Sequence, residues 1–319
     1  MTEVMRAADL LRAGDLVAFP TETVYGLGAD ASNPQAVARI FAAKGRPADH
    51  PLIVHLPDAS HLVRWAVDIP PAAHRLATAF WPGPLTLILK RQASVLDAVT
   101  GGQDTVGLRV PNHPLALQLL REFDSGVAAP SANRFGRISP TTAEHVRAEL
   151  DDTVALILDG GPCAVGIEST ILDLSQATAR ILRPGMLNAK SLAAVLGYSP
   201  EFGGTQNAPR VSGSLETHYA PQTPLRLVAA HDLAEAVRKA RGKGLRVAVL
   251  AAGQAASGDE RLTWRMAAAD PEHFAHDLYA RLRELDALGV DLILVAAPPG
   301  DERWRAVADR LNRAAAGSK

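Results

Sequence analysis

Short apolar runs alternate with segments of helical period along most of the chain. Leu16-Val17-Ala18-Phe19 predicts a strand, and Asn33 to Lys44 a helix whose Val37, Ile40, Phe41 and Lys44 share one face. Asn33 can cap that helix, Pro34 suits its first turn, and Gly45 can take the left-handed conformation that stops it. Further strands are predicted at Leu52 to Val54, Leu85 to Leu89, Thr105 to Val110, Val127 to Ala129, Val154 to Leu158, Thr170 to Leu174 and Ala179 to Leu182. A helix is expected over Leu115 to Phe123, and Thr141 with Glu144 has the spacing of a capping box that opens another. Such alternation predicts an α/β domain with a mixed sheet over residues 1–197.

Between residues 198 and 224 the periodicity gives way to Tyr198-Ser199-Pro200, Gly203-Gly204, Pro209, Gly213, Pro221 and Pro224. This punctuation reads as a linker, and its length is unusual for a passive connection. Beyond it, Leu225 to Val228, Arg246 to Leu250 and Leu292 to Ala296 predict buried strands. Helical segments at Leu233 to Ala240, Pro271 to Leu288 and Arg303 to Ala315 complete a smaller βαβ-type domain over residues 225–319.

Composition narrows the classes. A chain of 319 residues, 47% hydrophobic and 21% charged, can bury two cores and has the balance of a soluble protein. Its 33 Lys and Arg against 34 acids argue against a surface built to grip nucleic acid or anionic lipid. Cys163 is the only cysteine, so an internal disulfide and a multi-cysteine zinc site are excluded. With no apolar run long enough for a span and no signal-like start, a cytoplasmic protein without membrane contact is expected.

The candidate chemistry lies at strand ends. Thr21 and Thr23 alternate on one side of their segment and can bond a small polar ligand. Lys44 and Arg46 stand on a Gly/Pro-defined loop that can hold phosphate without a P-loop. His50 and His55 flank a strand, and Thr105 and Arg109 share a strand face on which an inward arginine requires an anionic partner. Ser131, Asn133 and Ser139 follow another strand, while Ser169 and Arg183 border later ones. Gly26 to Ala31 fits a dinucleotide-type glycine pattern, but the polar run after Pro20 is not a strand feeding a helix. The set suits phosphate and amino-acid recognition rather than covalent or zinc catalysis.

Six motifs together carry a resemblance: Thr21-Glu22-Thr23-Val24-Tyr25-Gly26-Leu27, Lys44-Gly45-Arg46-Pro47, Pro51-Leu52-Ile53-Val54-His55, Pro130-Ser131-Ala132-Asn133, Glu168-Ser169-Thr170-Ile171 and Arg183-Pro184-Gly185. In this order they resemble YrdC-like domains. With His218-Tyr219-Ala220-Pro221 and the following domain, the chain looks like the two-domain form of threonylcarbamoyl-AMP synthases. The resemblance implies a twisted mixed sheet with helices, followed by a Rossmann-like α/β domain. It implies synthesis of threonylcarbamoyl-AMP from L-threonine, bicarbonate and ATP with magnesium, for modification of tRNA. By motif position, Lys44 and Arg46 would be catalytic and would bind ATP with His50, Thr105, Ser131, Asn133, Ser139, Arg183 and Tyr219. Thr23, His55, Arg109, Ala129 and Ser169 would hold threonine, and His218 with Tyr219 would form a lid. A downstream tRNA threonylcarbamoyl-transferase complex is the implied partner, with at most a weak contact to tRNA or other double-stranded RNA. Two positions depart from the family pattern: His50 stands where asparagine is frequent, and Val211-Ser212-Gly213 where Ser-Pro-Gly is.

Three rival readings fit the sequence less well. An RNA-binding module of the same fold requires more basic and aromatic surface than 5% aromatic residues provide. A carbamoyl-adenylate enzyme of hydrogenase maturation requires cysteines this chain lacks, and an NAD enzyme rests on Gly26 to Ala31 alone.

Overall fold

In the computed structural model, which describes residues 2–204, 208–213, 217–253 and 260–318, the strands divide into two sheets. By contact, residues 1–135 and 139–214 make one unit, and residues 136–138 and 215–319 another. Among the described residues the first unit holds β1 (Val17–Phe19), β2 (Gly26–Asp30), β3 (Ile53–His55), β4 (Leu85–Lys90), β5 (Thr105–Arg109), β6 (Val127–Ala128), β7 (Leu156–Ile157), β8 (Thr170–Asp173), β9 (Arg180–Arg183) and β10 (Glu201–Phe202). Their order is β10-β9-β8-β4-β5-β3-β6-β2-β1-β7, with parallel and antiparallel neighbours mixed.

Each face of this sheet is buried by helices. On one side Val4, Ala7, Ala8 and Leu11 of the helix Glu3–Arg12 pack with Leu119, Leu120 and Phe123 of Pro114–Phe123 against Val17, Phe19 and Val127. On the other, helices Pro34–Lys44, Pro71–Phe80, Ala143–Leu150 and Ala189–Leu196 cover Leu27, Val54, Leu87 and Leu108. Helix Pro34–Lys44 forms as its end signals dictate. The Asn33 side-chain Oδ1 accepts from the backbone N–H groups of Gln35 and Ala36, and Gly45 closes the helix at φ +62°.

Two local expectations are corrected. The cap of helix Ala143–Leu150 is Thr142, whose hydroxyl accepts from His145 N, whereas Thr141 turns its own hydroxyl toward the His145 ring at 3.4 Å. Gly26 to Asp30 is a strand paired with β1 and β6, not a phosphate turn. Gly28 serves packing there: a Cβ would meet the Phe19 ring and Val127 at 2.9 Å. Pairing on both edges, with the neighbouring β1 and the distant β6, rather than alternation, makes β2 a strand, and the dinucleotide reading falls with it.

The second unit is a parallel sheet of β11 (Leu225–Val228), β12 (Val247–Ala251), β13 (Leu262–Met266) and β14 (Leu292–Ala296), in the order β11-β14-β12-β13. β13 was not predicted, because its Thr-Trp-Arg centre is only half-buried and lacks an apolar run. Of the 198–224 stretch, residues 205–207 and 214–216 lie outside the described residues. Residues 201–202 pair with β9 and 208–213 belong to the first unit, whereas 217–224 belong to the second. Within the second unit Tyr219 is buried at φ +62°, stacked on Tyr279 with ring centroids 5.6 Å apart and with Arg310 5.3 Å over its ring. Residues 136–138 are tied in by the Ala220 N–H, which donates to the Gly136 carbonyl at 2.9 Å.

Candidate active site

The site is built where loops leaving several strands of the first unit are stitched together. Leu27 N donates to Pro130 O, Ala132 N to Tyr25 O, Tyr25 N to Pro140 O, and Val165 N to Glu22 O. These bonds seat the Thr21–Tyr25 segment, the 129–135 turn and the loop near 165 side by side, so the predicted motifs become neighbours. Tyr25 braces this wall: its hydroxyl donates to Gly161 O at 2.8 Å and accepts from Gly160 N, and burial pushes its pKa up to about 12.

One end is organised by Arg109. Lying at the close of β5 beside His55 of β3 in parallel register, it is sealed in the sheet. Its Nε donates to Gly83 O at 3.2 Å and its Nη1 to Thr23 Oγ1 at 2.9 Å. Nη2 stands 2.7 Å from Glu22 Oε1, both side chains being almost wholly buried. The Thr23 hydroxyl is also 2.9 Å from that of Thr21, which donates to Val24 O. Of the residues assigned to threonine, Thr23, His55 and Arg109 are thus brought together. Ala129 is buried, and its N–H is taken by Ile53 O.

The other end is basic. Arg46 Nη2 donates to Pro51 O and to Ser212 Oγ at 3.1 Å, and Arg183 Nη1 donates to Ser212 O at 2.8 Å. Two guanidinium groups therefore converge on one residue of the 208–213 segment. Arg183 also donates through Nη2 to Ser169 Oγ, which lies 2.8 Å from Thr86 Oγ1. Ser169, assigned to threonine, is thereby linked to the arginine of the nucleotide set. Thr105 lines the cleft beside Val211 and Ser212, and Val211 packs on Ile88 and Ile171.

Lys44 is buried rather than open: its Nζ donates to Ser131 O at 2.5 Å and to Asn133 O. Burial, and then the Arg46 charge, push its pKa well below the usual lysine range. It shapes the 131–133 turn from within. His50 meets Phe135 edge to face at 5.3 Å, and Arg46 lies 5.8 Å over the same ring. The Ser139 hydroxyl donates to Glu168 Oε1 at 2.6 Å. His218 and Tyr219 are placed in the second unit. Glu22, Glu168, Phe135, Thr86 and Ser212 contact the candidate residues and were not among those the sequence pointed to. Glu22 and Glu168 lie inside the motifs, but a carboxylate there carries no sign in the sequence of which cation or hydroxyl it will face.

His55 yields a pH prediction. Burial, and then the Arg109 charge, push its imidazole pKa down from 6.5 to about 3. Between those values the unfolded chain takes up a proton that the native site refuses. The contribution of neutral His55 to stability is therefore present above 6.5 and is lost as pH falls toward 3. A His55→Gln variant is expected to flatten the acid limb of Tm between about pH 6.5 and 4. Thermal unfolding across that range checks it, and an unchanged limb would remove His55 as its source.

Comparison with known proteins places this geometry in context. Residues 9–185 match the family model described as Telomere recombination, which covers Sua5, YciO and YrdC, and residues 181–316 match that of the threonylcarbamoyl-AMP synthase C-terminal domain. A threonylcarbamoyl-AMP synthase of Bacillus subtilis is 42% identical, covering 99% of this chain and 93% of that protein. One of Pyrococcus abyssi is 39% identical, with 97% and 92% covered. The crystal structure of P. abyssi Sua5 complexed with L-threonine superposes with a TM-score of 0.92 at 38% identity, covering 99% of this chain and 95% of that one.

Proposed function

This chain belongs to the threonylcarbamoyl-AMP synthase family, and from that premise we propose how its site joins L-threonine, bicarbonate and ATP. The product is threonylcarbamoyl-AMP with release of pyrophosphate, for the threonylcarbamoyladenosine modification of tRNA. The single observation that carries the division of labour is the two-ended site. A buried Arg109 backed by Thr23 and His55 lies at one end, and Arg46 and Arg183 converge on Ser212 at the other.

Arg109 pairs with the α-carboxylate of threonine, and the hydroxyls of Thr23 and Ser169 orient the amino acid. The unprotonated amine of threonine adds to bicarbonate with loss of water, or to carbon dioxide with loss of a proton, and an oxygen of the resulting carbamate attacks the α-phosphorus of ATP as pyrophosphate leaves. Such a carbamate is labile, so holding both reactants together and excluding water is the main task of the site. Arg46 and Arg183 stabilise charge on the transferring and departing phosphates. Lys44 holds the turn that presents Ser131 and Asn133 to the nucleotide. Thr105, Ser139 and His50 line that end, with Phe135 beside His50 as an aromatic wall.

Magnesium enters with the substrate as MgATP. Phosphate oxygens are the ligands this ion favours. The 208–213 segment carries the linker into the arginine end, where it is the proposed lid of the nucleotide site. The RNA-binding-module alternative is not favoured beside full-length relatives named as synthases. No described helix is long and apolar enough to cross a membrane. The cytoplasm is the proposed compartment, and the downstream threonylcarbamoyl-transferase complex the proposed partner. Pyrophosphate release from MgATP, with threonine and bicarbonate each supplied or withheld, tests the reading. Release that requires both supports it, and release with neither overturns it.

A further inference from the structure

Glu22 belongs to no role assigned so far, yet its carboxylate lies within the amino-acid end of the site. The Oε2 atom accepts from Asn112 N at 2.9 Å, and the Glu22 carbonyl accepts from Val165 N at 2.7 Å, so the side chain is held from two directions. Its other oxygen, Oε1, stands 2.7 Å from Arg109 Nη2, with the two side chains 7% and 5% exposed. These two atoms form a buried ion pair, beyond which neither has another partner: Oε1 keeps a second lone pair and Nη2 a second N–H. Arg109 is meanwhile fixed through its other two nitrogens, on Gly83 O and Thr23 Oγ1. One acidic oxygen and one guanidinium nitrogen are therefore left side by side, buried, each with hydrogen-bonding capacity to spare.

We propose that Glu22 is the second charged arm of the amino-acid site: Oε1 receives the α-ammonium group while Arg109 receives the α-carboxylate. This rests on the threonine reading above. An α-amino acid carries both charges on one carbon, and adjacent acceptor and donor atoms of opposite charge match that pattern. Glu22 also opposes a ligand that brings only a carboxylate, since such a ligand must approach Arg109 beside a second negative charge. Selection for the zwitterion thus comes from attraction at one group and repulsion at the other.

The test is isothermal titration of the full chain without ATP, using L-threonine and 3-hydroxybutyrate, which is threonine without its amine. Wild-type protein is expected to bind threonine on the order of ten- to a hundredfold more tightly than the analogue. Glu22→Gln is expected to lose a similar factor for threonine while its affinity for 3-hydroxybutyrate stays level or rises. Equal wild-type affinities overturn the proposal. So does a Glu22→Gln variant that weakens both ligands alike, which would make Glu22 only a support for Arg109. Should that variant fail to fold by circular dichroism, Glu22→Asp keeps the charge but draws it back. Selective weakening of threonine in it supports the proposal, and parallel weakening of both ligands overturns it. Wild-type protein that binds neither ligand overturns the threonine reading itself, and this proposal with it.

Discussion

Replacing Arg46 with alanine is expected to lower pyrophosphate release by about a hundred- to a thousandfold while leaving the protein folded. The direction follows from what Arg46 faces. Its Nη2 reaches Pro51 O and Ser212 Oγ, and Arg183 reaches the carbonyl of the same serine. A hydroxyl and a carbonyl oxygen are acceptors of the kind a phosphate also presents, so the two forks are already aimed at one point. Charge developing on pyrophosphate as it leaves needs such preorganised donors, and their loss falls on kcat. The stability cost is expected to be a few kcal/mol, because hydrogen bonds from a charged donor to neutral acceptors are worth about 1.5–3 kcal/mol each. Arg46→Lys is expected to restore little activity, since an ammonium point charge cannot reproduce the planar fork. Steady-state pyrophosphate assays beside thermal melts separate these effects. Near-normal kcat in Arg46→Ala would remove Arg46 from the reaction.

A second large effect is expected at Arg109, this time on both stability and binding. Arg109→Met removes a cation that faces Glu22 at 2.7 Å in a nearly solvent-free place. Glu22 is then left charged and buried without its partner, a loss of about 3–5 kcal/mol. Threonine binding should vanish with the guanidinium. The double variant Arg109→Met with Glu22→Gln should regain much of the stability, because the stranded charge is gone, but none of the binding. Urea unfolding of the four proteins in this cycle measures the coupling. Additive losses would show that the pair is not coupled and that the single-variant cost has another origin.

Much of this site was legible in the sequence because its residues sit in short motifs with their own local logic. Lys44-Gly45-Arg46 follows a helix whose cap, proline and stop glycine were all readable, and the observed φ of +62° at Gly45 agrees. Thr105 and Arg109 fall on one strand face by simple alternation. What the motifs could not convey was which group would answer which. Lys44 reads as a phosphate ligand, and its ammonium also donates to the carbonyls of Ser131 and Asn133, remote in sequence. Ser212 departs from the family pattern and was noted only for that, yet it is where Arg46 and Arg183 meet.

The sequence by itself determined the α/β alternation, most of the strands and the helix ends, since these depend on side-chain period and on backbone preferences of neighbouring residues. Through its motifs it also determined the chemical character of the site and the family. Only the tertiary structure decided that Gly26–Asp30 is a strand, that Thr142 rather than Thr141 caps its helix, and that Glu22 stands against Arg109. The physical reason is common to all three. A strand needs a partner, a cap depends on the direction in which the chain arrives, and a buried charge is settled by whatever opposite charge the fold brings to it. None of these is a property of the residue or of its neighbours in the chain.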